Sequence, residues 1–508
     1  MTADEEKNAS SDAQIKESPA EVEDTVNATY EYTEAYYRKL RWKIDIWLLP
    51  LMWFIYGTQQ ADKTSLSTQA VFGIIQDTHL VGDQYNWLGT AFYLSFLVFE
   101  FPGNWLMQRV HVGRFLGVVM VLWGVIVLVT AFAKNFTHLI ILRIIQGALE
   151  CTTTPTFLLI TGAWYKSREH TLRSTIWATS NGGVGIITGL VSFAVAQHAE
   201  RNPGGPHPWQ AISYFLGPLT VVLGVLAFFT LGTPREVHWL NADEKRAAIA
   251  RVVENKTGTD REKRSEFKWD QVRQTFKDPQ TYFFFVVTIL NALPGAACAI
   301  FGNLIFASFG FTPLQTLTIG TIPYNAIGIV WFLVCGWISY IYPNSRFYIM
   351  LVSILPAFSG LLAIGLLPST PHYKWIKWGT YQMTATGSLP GLLIWTFAPS
   401  NIAGRTKKTV TSIVLFVAYT TGAAIGGQLF RPSDAPKYLH GLLAAGILYG
   451  ALFISLIAWR SYYVWQNNRR DKLVAGMGIS PEESQRLGKI NAENDMTDQE
   501  NIHFRYSL

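Results

Sequence analysis

The sequence predicts an all-α membrane protein with twelve transmembrane helices arranged as two six-helix halves. Of its 508 residues, 49% are hydrophobic and 15% are charged, whereas soluble domains carry about 25% charged residues. Apolar runs of about twenty residues recur along the chain, and a helix of that length crosses a hydrocarbon core about 30 Å thick. A long polar insertion follows the sixth run and divides the chain into six runs and six.

These runs are numbered as spans one to twelve. They lie at approximately 44–64, 86–107, 115–133, 137–160, 173–196, 209–231, 281–306, 313–341, 347–367, 376–399, 409–430 and 439–460. The predicted organisation is a disordered acidic N-terminal tail at 1–40, an N-terminal half at 41–231, a central loop at 232–280, a C-terminal half at 281–463 and a C-terminal tail at 464–508. Span eight is long enough to tilt or bend, and Pro323 is a candidate for the bend.

The polar segments have their own signals. The N-terminal tail is acidic and poor in large apolar residues, a composition typical of disorder, and it lacks the apolar core of a cleavable signal peptide. In the central loop, residues 238–253 predict a helix, because Asn241 can cap its first turn and Asp243 and Glu244 favour its positive end.

Basic residues are unevenly distributed between the two sides of the membrane. The loops on the side of both termini carry clusters such as Arg109 with Arg114 and Arg405 with Lys407, while the opposite loops carry few. This bias predicts that both termini of a multi-pass membrane protein are cytoplasmic, and we expect that membrane to be the plasma membrane. The net charge of +6 is then explained by topology, and no nucleic-acid partner is expected.

Catalytic and metal-binding motifs are absent from the sequence. The three cysteines, Cys151, Cys298 and Cys335, all lie in apolar spans and are expected to be packing residues, with no disulfide and no metal site. There is no phosphate-binding loop and no Ser-His-Asp set. We therefore expect no enzyme activity, no cofactor and no use of ATP.

Charged residues inside the spans are the strongest functional signal. Asp62 and Lys63 are adjacent in span one, and Arg143 and Glu150 lie about two helical turns apart in span four, with Gln146 on the same stripe. A charge near the bilayer centre costs several kcal/mol, so such residues are functional candidates by default.

These four charges have two interpretations. The structural one is that Asp62 with Arg143, or Lys63 with Glu150, form ion pairs that neutralise each other. The functional one is that a buried cation binds a carboxylate substrate by charge-assisted hydrogen bonds, while a buried carboxylate gains and loses a proton. Glu100 in span two is a further candidate, either as a third proton site or as a gate contact.

The second half carries few charges inside its spans. Substrate contacts there would have to come from amides, hydroxyls and aromatic rings. The candidates are Asn291, Tyr324, Asn325, Trp331, Trp395 and Tyr419, of which Asn291, Trp395 and Tyr419 are assigned to substrate binding together with Lys63, Arg143 and Gln146. Each of these residue types is also common in ordinary helix packing.

Short motifs are spread over nearly the whole chain. They are Asp-Lys-Thr-Ser-Leu at 62–66, Gly113-Arg114, Arg143-x-x-Gln-Gly-x-x-Glu150, and the segments at 237–246, 254–258, 403–408, 426–430, 434–438, 495–501 and 504–506. Together they resemble the major facilitator superfamily, specifically its anion:cation symporters in the fungal branch of allantoate permease-like transporters. The resemblance implies the major facilitator fold and a monomer.

The resemblance also implies roles for the intramembrane charges. The positions of Asp62 and Glu150 correspond to protonation sites in related organic-anion symporters, and those of Lys63 and Arg143 to substrate binding or gating. Lys63 stands where the wider family has arginine, so it would act as a point charge instead of a bidentate fork. Ser67-Thr68 and Ala423 also depart from the branch's common residues, and these changes bear on the substrate.

The predicted function is proton-coupled uptake of a small organic anion by alternating access. The candidate anions are allantoate- or ureidosuccinate-like compounds, vitamin acids such as nicotinate or pantothenate, and small peptides. The alternatives are a major facilitator exporter of a fungal secondary metabolite and a nutrient transceptor, which signals with little flux. The expected partners are the anionic substrate, protons and the lipid bilayer.

Overall fold

The structure is a computed structural model that describes residues 33–107, 109–165, 173, 176, 179–202, 204–253, 267–342, 344–493 and 495–508. Within these residues the fold is helical with no strand, which confirms the predicted all-α class. Spans one to six are the helices Glu34–Val71, Gln84–Met107, Val112–Thr130, Phe136–Glu150 with Thr153–Trp164, Ser180–Arg201 and Pro208–Thr230. Spans seven to twelve are Pro279–Ala307, Pro313–Ile341, Arg346–Leu366, Lys374–Met383 with Leu389–Asn401, Arg405–Gly426 and Leu439–Gly476.

The described helices differ in length and in apolar composition, the two properties that identify a membrane span. Eight of them are long and apolar enough by length and composition to cross a membrane. Span one contains the polar stretch around Asp62, and span two also carries polar residues along its length. Spans four and ten are each divided, the first at Cys151–Thr152 and the second by a 3₁₀ turn at Thr384–Ser388.

The ends of the chain depart from the predicted boundaries. Helix Glu34–Val71 begins inside the tail that was predicted to be disordered, because the side chain of Thr33 caps it and Leu40 is buried in the core. The remainder of that tail, residues 1–32, lies outside the described residues. Span twelve likewise continues to Gly476, well beyond the predicted end of the C-terminal half. At 1.5 Å per residue both helices are far longer than a bilayer is thick.

We call the end of the bundle that carries the beginning of span one and the end of span twelve the terminal face, and the opposite end the distal face. On the terminal face the central-loop helix Ala242–Val253 packs near the start of span one, where Lys43 Nζ lies 2.8 Å from Glu244 Oε2. Arg173 and Asp45 form a second ion pair at 2.9 Å. The Lys43–Glu244 pair thereby fixes the central-loop helix to span one, and the Arg173–Asp45 pair joins the segment between spans four and five to the same span.

The residues 495–508, which we call the C-terminal strap, fold back onto the terminal face of the C-terminal half. Lys407 Nζ is completely buried between Asp278 Oδ2 at 2.6 Å and Asp498 Oδ1 at 2.8 Å. Arg470 of span twelve donates to the backbone oxygens of Asp498 and Phe504. The strap therefore joins the beginnings of spans seven and eleven to the end of span twelve.

The two halves meet at the distal face. Asn303 of span seven binds span one, since its backbone N–H donates to Ser67 Oγ and its Nδ2 donates to Thr68 Oγ1, both at 3.0 Å. Spans two and eleven are joined in the same region, where the Thr90 hydroxyl donates to the backbone oxygen of Ala424. Hydrogen bonds thus connect the two halves at the distal face.

Candidate functional site

Spans one and four bring opposite charges into direct contact at the centre of the N-terminal half. Lys63 Nζ lies 2.8 Å from Glu150 Oε1, and the Glu150 side chain is completely buried. The backbone oxygen of Glu150 also accepts from Gln59 Nε2 at 3.4 Å. One of the two ion pairs that the sequence suggested is therefore formed, the one between Lys63 and Glu150.

Asp62 faces a different neighbour from Lys63, because successive residues on a helix point about 100° apart. The Trp123 indole N–H of span three donates to Asp62 Oδ2 at 3.1 Å. The Asp62 carboxylate is 2% exposed and interacts electrostatically with both Arg143 and Lys63. Asp62 is thus held by a neutral donor at close range and by two cations at longer range.

Arg143 is the cation whose charge is least matched in this cluster. It is 4% exposed, and among the described residues no carboxylate forms an ion pair with it within 4.0 Å. One turn further along span four, Gln146 Nε2 contacts Thr130 Oγ1 at 3.4 Å, while Gln146 Oε1 has no hydrogen-bond partner among the described atoms. This stripe therefore offers a guanidinium and a free amide oxygen inside the protein.

Aromatic side chains enclose the Lys63–Glu150 pair. Tyr93 of span two and Tyr419 of span eleven are close enough to Lys63 to interact with its charge, and Lys63 Nζ lies 5.6 Å from the centre of the Phe96 ring. Phe96 in turn stacks on Phe416 of span eleven, with ring centroids 5.8 Å apart. The second half therefore reaches the charged cluster through span eleven, and Tyr419 belongs to that contact.

A cavity of about 290 Å³ lies between the halves on the other side of span one. Its walls come from spans one, five, seven, eight and ten, with smaller contributions from spans six and twelve, and the described lining residues include no charged side chain. The polar lining residues are Gln60, Thr64, Ser65, Ser67, Thr68, Thr179, Asn181, Thr188, Ser192, Asn303, Thr321, Tyr324, Asn325, Tyr381, Thr384, Ser388 and Tyr449. The cavity thus presents hydroxyls and amides.

Span one is shared by the two sites. Gln60, Ala61 and Thr64 face the cavity, whereas Asp62 and Lys63 face away from it toward spans two to four. The Lys63 side chain keeps 15% of its surface exposed. A single helix therefore separates the charged cluster from the neutral cavity.

The remaining candidates from the second half fall into three groups. Tyr324 and Asn325 line the cavity. Asn291 Nδ2 donates to the backbone oxygen of Gly387 at 3.1 Å, inside the C-terminal half, and Trp331 Nε1 donates to Ser353 Oγ at 2.9 Å. Trp395 is 38% exposed and contributes to neither site. Substrate binding by Asn291 and Trp395 therefore stays a prediction.

Glu100 lies apart from the cluster, on the half of span two that leads to the terminal face. It is buried, and its Oε2 has no hydrogen-bond partner among the described atoms. The role of Glu100, as a third proton site or as a gate contact, stays a prediction.

Two features of the site were missed by sequence reasoning. One is Trp123 as the donor to Asp62, for which a single indole in an apolar span gives no signal. The other is the cavity face of span one, where Gln60, Thr64 and Thr68 recur at intervals of four residues. That polar stripe in an apolar helix was a signal available in the sequence.

The sequence is similar to known membrane transporters over most of its length. The profile of the Major Facilitator Superfamily matches residues 52–427. An uncharacterised transporter of Schizosaccharomyces pombe is 32% identical over 486 residues, covering 94% of this chain and 88% of that protein. The allantoate permease of Saccharomyces cerevisiae is 29% identical over 480 residues, covering 93% of this chain and 86% of the permease.

Solved structures give the same fold. A bacterial homologue of the human lysosomal transporter Spinster, in an inward-facing and unoccupied conformation, superimposes with a TM-score of 0.61 at 14% identity, covering 84% of this chain and 97% of that one. A D-xylose-proton symporter superimposes with a TM-score of 0.60 at 12% identity, covering 80% of this chain and 95% of that one. At such low identity the likeness shows the fold alone.

Proposed function

The chain belongs to the Major Facilitator Superfamily, and we propose that it is a proton-coupled symporter that takes up a small organic anion by alternating access. The observation that carries the proposal is the buried Lys63–Glu150 ion pair, with Arg143 close by and no carboxylate paired with it among the described residues. Buried charges are costly in a membrane protein, and function is the usual reason for keeping them.

The two cations suit a carboxylate ligand. A guanidinium can donate two parallel hydrogen bonds to a carboxylate, and an ammonium adds a third, charge-assisted one. Arg143 and Lys63 approach from two different helices, so an anion bound between them would bridge spans one and four. The 29% identity to allantoate permease, a protein named for a carboxylate, supports an anionic substrate.

Competition between the substrate carboxylate and Glu150 for Lys63 couples substrate binding to proton binding. A substrate carboxylate that binds the Lys63 ammonium displaces Glu150, and a buried carboxylate without a cation is then neutralised by binding a proton. One proton and one anion would thus move together through the membrane, and both would be released on the other side when Glu150 recovers Lys63. Asp62, held by the Trp123 indole, is proposed as the second proton site.

The neutral cavity lies across span one from the charged cluster, so we propose that the substrate occupies it at a different step of the transport cycle from the one at which its carboxylate binds Lys63 and Arg143. Its hydroxyls and amides offer hydrogen bonds without a further charge, and its volume of about 290 Å³ suits a small molecule. Tyr324 and Asn325 then provide contacts from the C-terminal half, so that substrate would touch both halves and stabilise them against each other.

Alternating access requires the contacts at the distal face to break and re-form. Basic loops support a cytoplasmic position for the terminal face, and therefore an exterior position for the distal face. Closure of the distal face by Asn303 and Thr90 then corresponds to a state closed to the outside. We propose that uptake begins when these hydrogen bonds open, in the plasma membrane.

The direct test is external pH. Yeast cells that lack their own anion transporters would express this chain in lightly buffered medium, and candidate carboxylates would be added one at a time. Symport predicts alkalinisation with at least one compound, lost in Glu150→Gln and retained in the matched control Glu200→Gln, whose side chain is exposed at the distal end of span five.

The same variant also separates proton coupling from substrate binding and exchange. Glu150→Gln is expected to stop accumulation against a gradient while keeping part of the exchange of labelled for unlabelled substrate. Accumulation by Glu150→Gln at normal surface expression would contradict its role as the proton site. Acidification or efflux of a preloaded compound would favour the exporter, and a nutrient signal without flux would favour the transceptor.

A further inference from the structure

A short helix, Trp269–Lys277, precedes span seven on the terminal face and carries its apolar residues outward. Trp269 is 75% exposed and Phe276 is 54% exposed. They are seven residues apart, which places them on one stripe of the helix. Phe267, just before the helix, packs edge-on against Trp269 with ring centroids 5.2 Å apart and is itself 54% exposed.

The polar side of the same helix is turned into the protein. Gln271 is 4% exposed, its Nε2 donates to the backbone oxygen of Asp495 at 3.0 Å, and its Oε1 accepts from the backbone N–H of Lys407 at 3.1 Å. Gln274 Nε2 donates to Glu500 Oε1 at 2.7 Å. A helix on a soluble surface has the opposite orientation. The outward aromatic stripe therefore needs an apolar environment that the described protein does not supply.

The position of the helix identifies that environment. Asp278 alone separates it from span seven, whose first residue is Pro279. Tyr282, in the first turn of span seven, is exposed toward the outside of the bundle and donates its hydroxyl to the backbone oxygen of Phe276 at 2.8 Å. The aromatic stripe is thus continuous with the outer surface of span seven, at the level where that span enters the membrane.

Basic residues flank the aromatic stripe. Arg273 and Lys277 are both exposed, and they lie on the side of the helix away from Gln271 and Thr275. Aromatic rings with adjacent cations are the combination that favours the boundary between headgroups and acyl chains, because the rings take the apolar side and the cations bind anionic headgroups.

We propose that Trp269–Lys277 is an interfacial anchor, whose aromatic stripe inserts into the leaflet at the terminal face while Arg273 and Lys277 contact phosphate headgroups. The C-terminal strap holds the polar side of the helix through Asp495 and Glu500. The helix therefore ties three parts together: the lipid surface, the strap and the beginning of span seven. This inference is independent of the substrate and of the proton.

The test measures where the aromatic stripe lies. Full-length protein, with Cys151, Cys298 and Cys335 replaced by serine, would be spin-labelled at Trp269→Cys and, as the matched control, at the neighbouring exposed Asp270→Cys. Both would be reconstituted in vesicles with and without phosphatidylserine. Accessibility to oxygen, which concentrates in lipid, would be compared with accessibility to a water-soluble nickel complex, with thermal stability confirming that each variant is folded.

The anchor predicts that the label at position 269 has an oxygen-to-nickel ratio several-fold higher than the label at 270. It also predicts that the ratio at 269 falls in vesicles without phosphatidylserine, or in Arg273→Gln with Lys277→Gln. Equal, water-like ratios at both positions would overturn the proposal. So would protection of position 269 from both reagents, since the stripe would then be covered by protein.

Discussion

At the scale of single residues, one arrangement distinguishes Lys63 from Arg143. Lys63 is paired with Glu150 at 2.8 Å, while Arg143 has no carboxylate paired with it among the described residues. A ligand that binds both cations must break the Lys63–Glu150 ion pair and form a new ion pair with Arg143. Exchange of partners of this kind costs less than creating a charged site from nothing, because the charges are already buried.

Removing either cation is expected to abolish the transport of an anion. For Lys63→Ala or Arg143→Ala we expect uptake to fall by about ten- to a hundredfold for each hydrogen bond to the substrate that is lost, since a charge-assisted hydrogen bond contributes about 1.5–3 kcal/mol and 1.4 kcal/mol is a factor of ten. Radiolabelled uptake at matched surface expression measures the effect.

The control for this prediction is Lys134→Ala, a lysine exposed at the distal end of span three. It is expected to leave uptake unchanged. High-affinity uptake retained by Lys63→Ala or Arg143→Ala would remove that residue from the proposed site.

At the scale of elements, the contact between spans two and four depends on a missing side chain. A Cβ atom at Gly147 would collide with Ser95 Oγ and with the backbone oxygen of Phe92 in span two. The close approach lets span two cover the stripe that carries Arg143 and Glu150. Glycine at this position therefore serves the geometry of the charged cluster.

Gly147→Ala is expected to destabilise the protein by about 1–3 kcal/mol, the usual cost of overpacking. Thermal unfolding in detergent would show the change. Gly162→Ala, in the second segment of the same span, is the matched control because no atom of the described residues lies within 4 Å of its added methyl group. Equal melting temperatures for the two variants would show that spans two and four can move apart to accept the methyl group without a loss of stability.

The C-terminal strap contributes Asp498 to a second buried charge cluster, at the terminal-face ends of spans seven and eleven. Burial raises the pKa of Asp498, and the ammonium of Lys407 acts against that rise. Asp498 and Asp278 face the same ammonium, so the cluster depends on a single cation.

Lys407→Ala should therefore cost about 3–5 kcal/mol, because it leaves two buried carboxylates without their cation. Lys408→Ala provides the control, as the Lys408 side chain is exposed at the surface. The measurement is the melting temperature together with surface expression. A Lys407→Ala protein as stable as Lys408→Ala would mean that the strap contributes little to the fold.

At the scale of the whole molecule, the contacts between the halves at the distal face define which side is closed. Thr68 Oγ1 and Asn303 Nδ2 are 3.0 Å apart, across the boundary between the halves. Both side chains also line the cavity, so opening the distal face would expose the cavity on that side.

A cross-link at this point is expected to stop transport reversibly. In Thr68→Cys with Asn303→Cys, oxidation should join spans one and seven, and uptake should fall to background and return after reduction. Each single variant under the same oxidant is the control. Continued uptake by protein that is fully cross-linked on a gel would mean that the distal face does not open during transport.

The class of the fold and the candidate charged residues could be predicted from the sequence alone. The length and apolarity of the runs predicted membrane spans, because a bilayer imposes a helix length that any such run must satisfy. Intramembrane charge singled out Asp62, Lys63, Arg143 and Glu150, because such residues are too costly to occur without a reason. The two possible ion pairs followed from the charges, but nothing in the sequence chose between them.

The pairing of the charges and the position of the cavity depend on how the helices pack together, and neither could be predicted from the sequence. Lys63 pairs with Glu150 and Asp62 with the Trp123 indole because of how spans one, three and four rotate against each other, and helix rotation depends on packing that no single helix records. The burial of Lys407 against Asp498 joins residues far apart in the chain, and their separation gave no local signal. The neutral cavity is likewise a property of helices from both halves, since its walls exist only once the halves have met.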